Sequence, residues 1–98
     1  MSYLDIARSL VTDITDPAVR MDILATLNYI REVYLLGNVS EDEIRTALRD
    51  IVNTVLESTR PELTEEQRAE LVDRYVDQLM RALRLEGIRF RTIRARRT

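Results

Sequence analysis

Leu35-Leu36-Gly37-Asn38-Val39-Ser40-Glu41-Asp42-Glu43-Ile44 is the stretch whose reading decides the fold of this chain. Gly37 suits the left-handed position that closes a helix, because it has no Cβ to clash there. Three residues later, Ser40 and Glu43 have the spacing of a capping box, in which hydroxyl and carboxylate satisfy the free N–H groups of a helix start. Val39 and Ile44 flank that box as a hydrophobic staple. One helix therefore stops and another starts within a few residues, which predicts a helical hairpin.

The same punctuation recurs on both sides. Ser2 and Asp5 open a first helix carrying Tyr3, Leu4, Ala7, Leu10, Val11 and Ile14 at three-four spacing. Asp16 caps a second helix, and Pro17 fits its first position, where a missing N–H costs nothing. This helix shows Val19, Ile23, Leu24, Leu27, Ile30, Val33, Tyr34 and Leu35, apolar on more than one face, and is expected at the centre of the fold. The third helix carries Ile44, Leu48, Ile51, Val52, Val55 and Leu56, and a turn with Pro61 follows. Thr64 and Gln67 form another capping box before Val72, Tyr75, Val76, Leu79, Leu83 and Leu85, and Gly87 reads as the stop. The fold class is all-α: a four-helix bundle of antiparallel helices about 13, 19, 18 and 21 residues long. Residues 1–87 form the bundle domain. Beyond Gly87, Ile88-Arg89-Phe90-Arg91 alternates apolar and charged residues, so residues 88–98 are expected to be a basic, extended C-terminal arm.

Charge follows the same division. Residues 1–86 hold ten Arg against seventeen acids, a net of −7, whereas residues 87–98 hold five Arg and no acid, which together give the chain its −2. An acidic helical body with a cationic end points to a binding protein. The arm has two readings. In one, Arg89, Arg91, Arg94, Arg96 and Arg97 contact nucleic-acid phosphates, with Phe90 stacking on a base and Arg84, beside Arg81, extending the patch. In the other, the arm pairs with acids on a protein partner, on a second copy or on its own body, anchored by Ile88, Phe90 and Ile93.

Ninety-eight residues make one domain with a thin core, so a homodimer is a fair expectation. Tyr29 falls between the apolar stripes of the second helix, and with Met21 and Leu36 it is the candidate protein-interface patch. Cys, His and Lys are all absent. That excludes disulfides, thiolate or imidazole metal sites, the usual general base and Schiff-base chemistry. The acid clusters Glu41-Asp42-Glu43 and Glu62 with Glu65-Glu66 fall at helix starts, where carboxylates stabilise the helix dipole, so no metal and no cofactor is expected. Ser2, Ser40 and Thr64 are committed as caps, and no Gly-rich phosphate loop exists. A helix-turn-helix reading of the central hairpin fails because Glu41-Asp42-Glu43 would meet phosphates. No apolar run is long enough to span a bilayer and no basic signal-peptide start is present, so a soluble, cytoplasmic protein without membrane contact is expected. All-Arg cations and few amides fit a GC-rich or thermophilic source. The expectation is a non-enzymatic accessory or adaptor subunit of a replication or transcription complex. Its body would dock on a larger protein and its arm would touch DNA or RNA. The rival is a protein-interaction module with no nucleic-acid contact.

Overall fold

The helix starts fall where the caps place them. In the computed structural model, which describes residues 1–97 and the side chains of residues 1–96, α1 spans Tyr3–Val11, α2 Pro17–Leu36, α3 Glu41–Thr59 and α4 Glu65–Arg97. At α1, the Asp5 N–H donates to the Ser2 hydroxyl at 3.2 Å and the Ser2 N–H to the Asp5 carboxylate at 3.3 Å. Hydrogen bonding to Ser2, through its hydroxyl first and its N–H second, also lowers the Asp5 carboxyl below its ordinary range. At α2, the Ala18 N–H donates to the Asp16 carboxylate at 2.9 Å. At α4, Thr64 and Gln67 exchange both bonds of the box. The Ser40 box at α3 is half made: the Glu43 N–H reaches the Ser40 hydroxyl, which itself donates to the Glu43 carboxylate. Gly37 adopts φ 76°, the left-handed conformation that ends α2.

Four helices, and no strand among the described residues, make the molecule all-helical. Side-chain hydrogen bonds and ion pairs between α3 and α4 give their mutual direction. Arg84 reaches Glu41, Arg45 reaches Asp77, Arg49 reaches Asp73, and Arg68 reaches Asn53. Partners that advance along α3 retreat along α4, so these two helices run in opposite directions. Beneath them lie Leu48, Val52, Val55, Val76, Leu79, Met80 and Leu83, all essentially inaccessible to solvent. Tyr3, Ala7, Leu10 and Val11 close the core from α1.

Three expectations from the sequence are corrected. First, α2 is not the centre. Only Leu27 and Ile30 of its twenty residues are buried, and Val19, Met21, Tyr29 and Leu36 remain exposed. Its apolar residues are spread around the cylinder, so no single face collects enough of them to be enclosed. All four helices touch one another, and the one packed most extensively against the rest is α4. Second, α1 ends at Val11, short of Ile14. The Thr12 hydroxyl turns back to the Arg8 carbonyl at 2.8 Å, and the residue before Pro17 is held extended. Ile14 is still buried. Third, Gly87 does not end α4 and Ile88–Arg91 is not extended. The helix continues for ten more residues.

That continuation sets the dimensions. Thirty-three residues at 1.5 Å each give a rod of about 50 Å, and the longest extent of the molecule is 52 Å against 28 and 22 Å across. The radius of gyration, 14.4 Å, exceeds the roughly 13 Å of a compact chain of this length.

Tyr3 is the polar point in the core. Its hydroxyl donates to the Leu27 carbonyl at 2.6 Å, and burial pushes its ionisation well above that of a free phenol. An unfolded Tyr ionises near pH 10 while the folded one stays protonated. The stability this residue contributes is therefore complete below about pH 10 and is lost as pH rises beyond it. Tyr3→Phe is expected to cost about 1 kcal/mol at neutral pH and to flatten the alkaline fall in stability. Denaturant midpoints followed by circular dichroism from neutral to alkaline pH check this, and parallel curves for the two proteins would refute it.

Candidate nucleic-acid interface

The cationic end of the chain is built on a helix, and the reason lies at Gly87. A Cβ placed there would stand 3.2 Å from the Tyr34 ring and 3.4 Å from the Arg91 guanidinium. The glycine is thus where α2 lays an aromatic ring against the α4 backbone, a close approach inside a helix. Its cost in helix propensity, about 1 kcal/mol, is spread over a helix whose nucleation is already met upstream. Each further residue adds one backbone hydrogen bond, and the Arg residues favour the negative end of the helix dipole.

One residue earlier, Glu86 fastens this point. Its carboxylate accepts from the Arg31 guanidinium at 2.8 Å and from the Tyr3 N–H at 3.3 Å. Arg31 and Glu86 side chains are only 28% and 20% exposed, so the pair is shielded from bulk water. One carboxylate ties together α1, α2 and α4 at the level where the bundle ends and α4 goes on alone.

Beyond that level Arg89, Arg91, Arg94 and Arg96 are all exposed. The Arg94 guanidinium lies 5.7 Å from the centroid of the half-buried Phe90 ring, a cation–π contact that leaves its charge outward. One face of the Phe90 ring thus carries the Arg94 guanidinium. Arg97 is in the helix, but its side chain lies outside the described residues, as does Thr98. Arg84 is committed elsewhere: it donates to Glu41 at 2.8 Å, which binds its charge to the start of α3. Among the described residues, Arg74, Arg81, Arg89, Arg91 and Arg96 make no side-chain hydrogen bond or ion pair, and all five belong to α4. Sequence reasoning noticed Arg81 and missed Arg74. Asp73 and Asp77 are near them in sequence, but both reach across to Arg49 and Arg45 of α3. Only the tertiary pairing reveals which cations are left over.

The protein-interface candidates stand on α2. Met21, Tyr29 and Leu36 are 70%, 65% and 63% exposed, and their spacing of eight and seven residues keeps them on one face. Met21 also borders a groove of about 350 Å³ with Leu4 and Arg8 of α1 and Leu24, Ala25 and Asn28 of α2. Among the described residues no cluster of three or more acids is placed to hold a metal ion, and no helix is long and apolar enough to cross a membrane. Comparison with protein-family models, curated proteins and solved structures gives no match for this chain.

Two outcomes follow from this geometry. Gly87→Ala exchanges a helix-propensity gain of about 1 kcal/mol for crowding against Tyr34, so it is expected to change stability by less than about 1 kcal/mol and to preserve helical ellipticity. A left-handed stop at this position would instead lose both. Glu86→Ala removes two hydrogen bonds from one shielded carboxylate and is expected to cost about 2 kcal/mol in urea unfolding. A loss below about 0.5 kcal/mol would mean the clamp is dispensable.

Proposed function

We propose that this chain is a non-enzymatic, cytoplasmic accessory subunit of a nucleic-acid-processing complex of the replication or transcription type. In this reading the body, an antiparallel four-helix bundle, docks on a larger protein through the Met21, Tyr29 and Leu36 face of α2. The projecting end of α4 supplies Arg89, Arg91, Arg94, Arg96 and Arg97 to nucleic-acid phosphates. The observation that carries it is the segregation of unpaired cations. Arg31, Arg45, Arg49 and Arg84 of the body are engaged with acids of another helix, while Arg89, Arg91, Arg94 and Arg96 of the extension stand exposed on a helix that leaves the bundle. Neutralising phosphates releases condensed counterions, so binding of this kind is steep in salt.

A second reading is favoured by the acidic outer face of α3. There Asp42, Glu43 and Asp50, with Thr46 and Ala47, border a shallow cavity of about 440 Å³. In a homodimer the extension of one copy would lie on this face of the other, with no nucleic-acid contact.

Fluorescence anisotropy with labelled DNA and RNA, comparing the full chain with one ending at Gly87, separates the two. The nucleic-acid reading expects binding that weakens at least tenfold between about 50 and 200 mM salt and is abolished by the truncation, with the thermal midpoint kept. No binding to any probe at low salt, together with a dimer that the truncation dissolves, would replace it with the second reading.

A further inference from the structure

Which form of nucleic acid the extension suits follows from where its side chains stand around the helix. At about 100° per residue, Arg89 and Arg96 fall within about 20° of each other and Arg91 and Arg94 within about 60°. The two pairs occupy opposite flanks, about 180° apart. Between them, on the side away from the bundle, stand Ile88, Thr92 and Ala95, all exposed. The Thr92 hydroxyl donates to the Ile88 carbonyl at 2.9 Å, which leaves its methyl group for outward contact. The outward face is thus neutral and small to aliphatic, with cations on both shoulders.

Resting on the nucleic-acid reading above, we infer that the extension lies in the major groove of duplex DNA. Ile88, Thr92 and Ala95 face the base edges, and the two Arg pairs reach the phosphates of the two walls. The major groove of B-form DNA is about 12 Å wide and admits a single α-helix, with thymine methyl groups available to Thr and Ala. A-form RNA has a major groove that side chains do not reach. A single strand is held by cations along one groove and by aromatic platforms. Here the cations divide between two flanks, and the one aromatic side chain, Phe90, lies half-buried beneath Arg94. No Asn, Gln or Arg stands on the face toward the bases, so the interface selects duplex over single strand and not one sequence over another.

The body contributes to the same surface. Arg81 lies seven residues before Ile88 and Arg74 seven before that, so both continue the outward face of α4 at intervals of about 10.5 Å. Both are exposed. A duplex that takes the extension in its groove passes the bundle on this side, and its phosphates meet Arg81 first.

The test is anisotropy of the full-length chain with labelled duplex DNA, one of its strands alone, and duplex RNA of the same sequence, across a salt series. Duplex DNA is expected to bind at least tenfold tighter than either alternative. Arg89→Ala with Arg96→Ala, and separately Arg91→Ala with Arg94→Ala, should each lower the salt slope by about 1.8, and Arg81→Ala by about 0.9. Thr92→Trp puts bulk on the groove-facing side and should weaken duplex binding at least tenfold without weakening single-strand binding. All these positions are exposed, so thermal midpoints serve as the control for folding. Equal or tighter binding to the single strand or to RNA overturns the groove assignment and leaves the nucleic-acid reading standing, as does loss from one Arg pair only. Absence of binding to all three probes overturns both.

Discussion

Where the Tyr34 ring lies against the bare backbone of Gly87, two demands on the sequence meet. α2 needs a ring there to cover the end of the core, and α4 needs to pass without a side chain in the way. A Cβ at position 87 would stand 3.2 Å from that ring, closer than an unstrained contact, so the absence of a side chain lets both helices keep their paths. The Glu86 carboxylate, bound to Arg31 and to the Tyr3 N–H, holds the three helices together one residue away. Everything beyond this level is a single helix. Its direction in space is therefore set chiefly by the packing below it.

Core formation in so short a chain is a matter of which helix can be enclosed. α4 buries Val72, Val76, Leu79, Met80 and Leu83, a stripe at three-four spacing that faces α3 and α1 together. α2 distributes its apolar residues around the cylinder, so enclosing all of them would need neighbours on every side, and three helices cannot supply that. The result is a molecule whose most apolar-looking helix is the one left partly bare. Exposed Met21, Tyr29 and Leu36 are the residue of that geometric mismatch, and large apolar side chains left at a surface are the raw material of protein contacts.

Helix starts were legible in the sequence because capping is local: Ser2, Asp16, Ser40 and Thr64 each need only the N–H groups two or three residues on. Gly37 was legible for the same reason. Gly87 was not, because glycine serves both as a left-handed stop and as a gap for a neighbouring side chain, and only Tyr34, fifty-three residues away, decides between them. The alternation Ile88-Arg89-Phe90-Arg91 misled in the same way. Over four residues a period of two cannot outweigh a helix already nucleated and ready to propagate. For the candidate site, composition exposed the concentration of Arg, but not which guanidinium groups were spent. Arg84 looked available and is bound to Glu41, while Arg74, which nothing in the sequence singled out, makes no ion pair.

The separation of charge along α4 also resolves an apparent conflict. A body carrying −7 repels phosphates, and an Arg-rich tail folded onto it would have its charge cancelled. At physiological ionic strength electrostatic fields decay over about 8 Å, whereas ten residues of helix reach about 15 Å. Arg94 and Arg96, about 10 Å or more along the rod from Gly87, therefore stand beyond one screening length of the bundle's end, which flexible chain of the same composition would not guarantee. Stiffness has a second effect, because side chains fixed around a helix keep their angular relation without a folding cost at the moment of contact. An acidic domain can in this way present a basic surface without becoming basic itself.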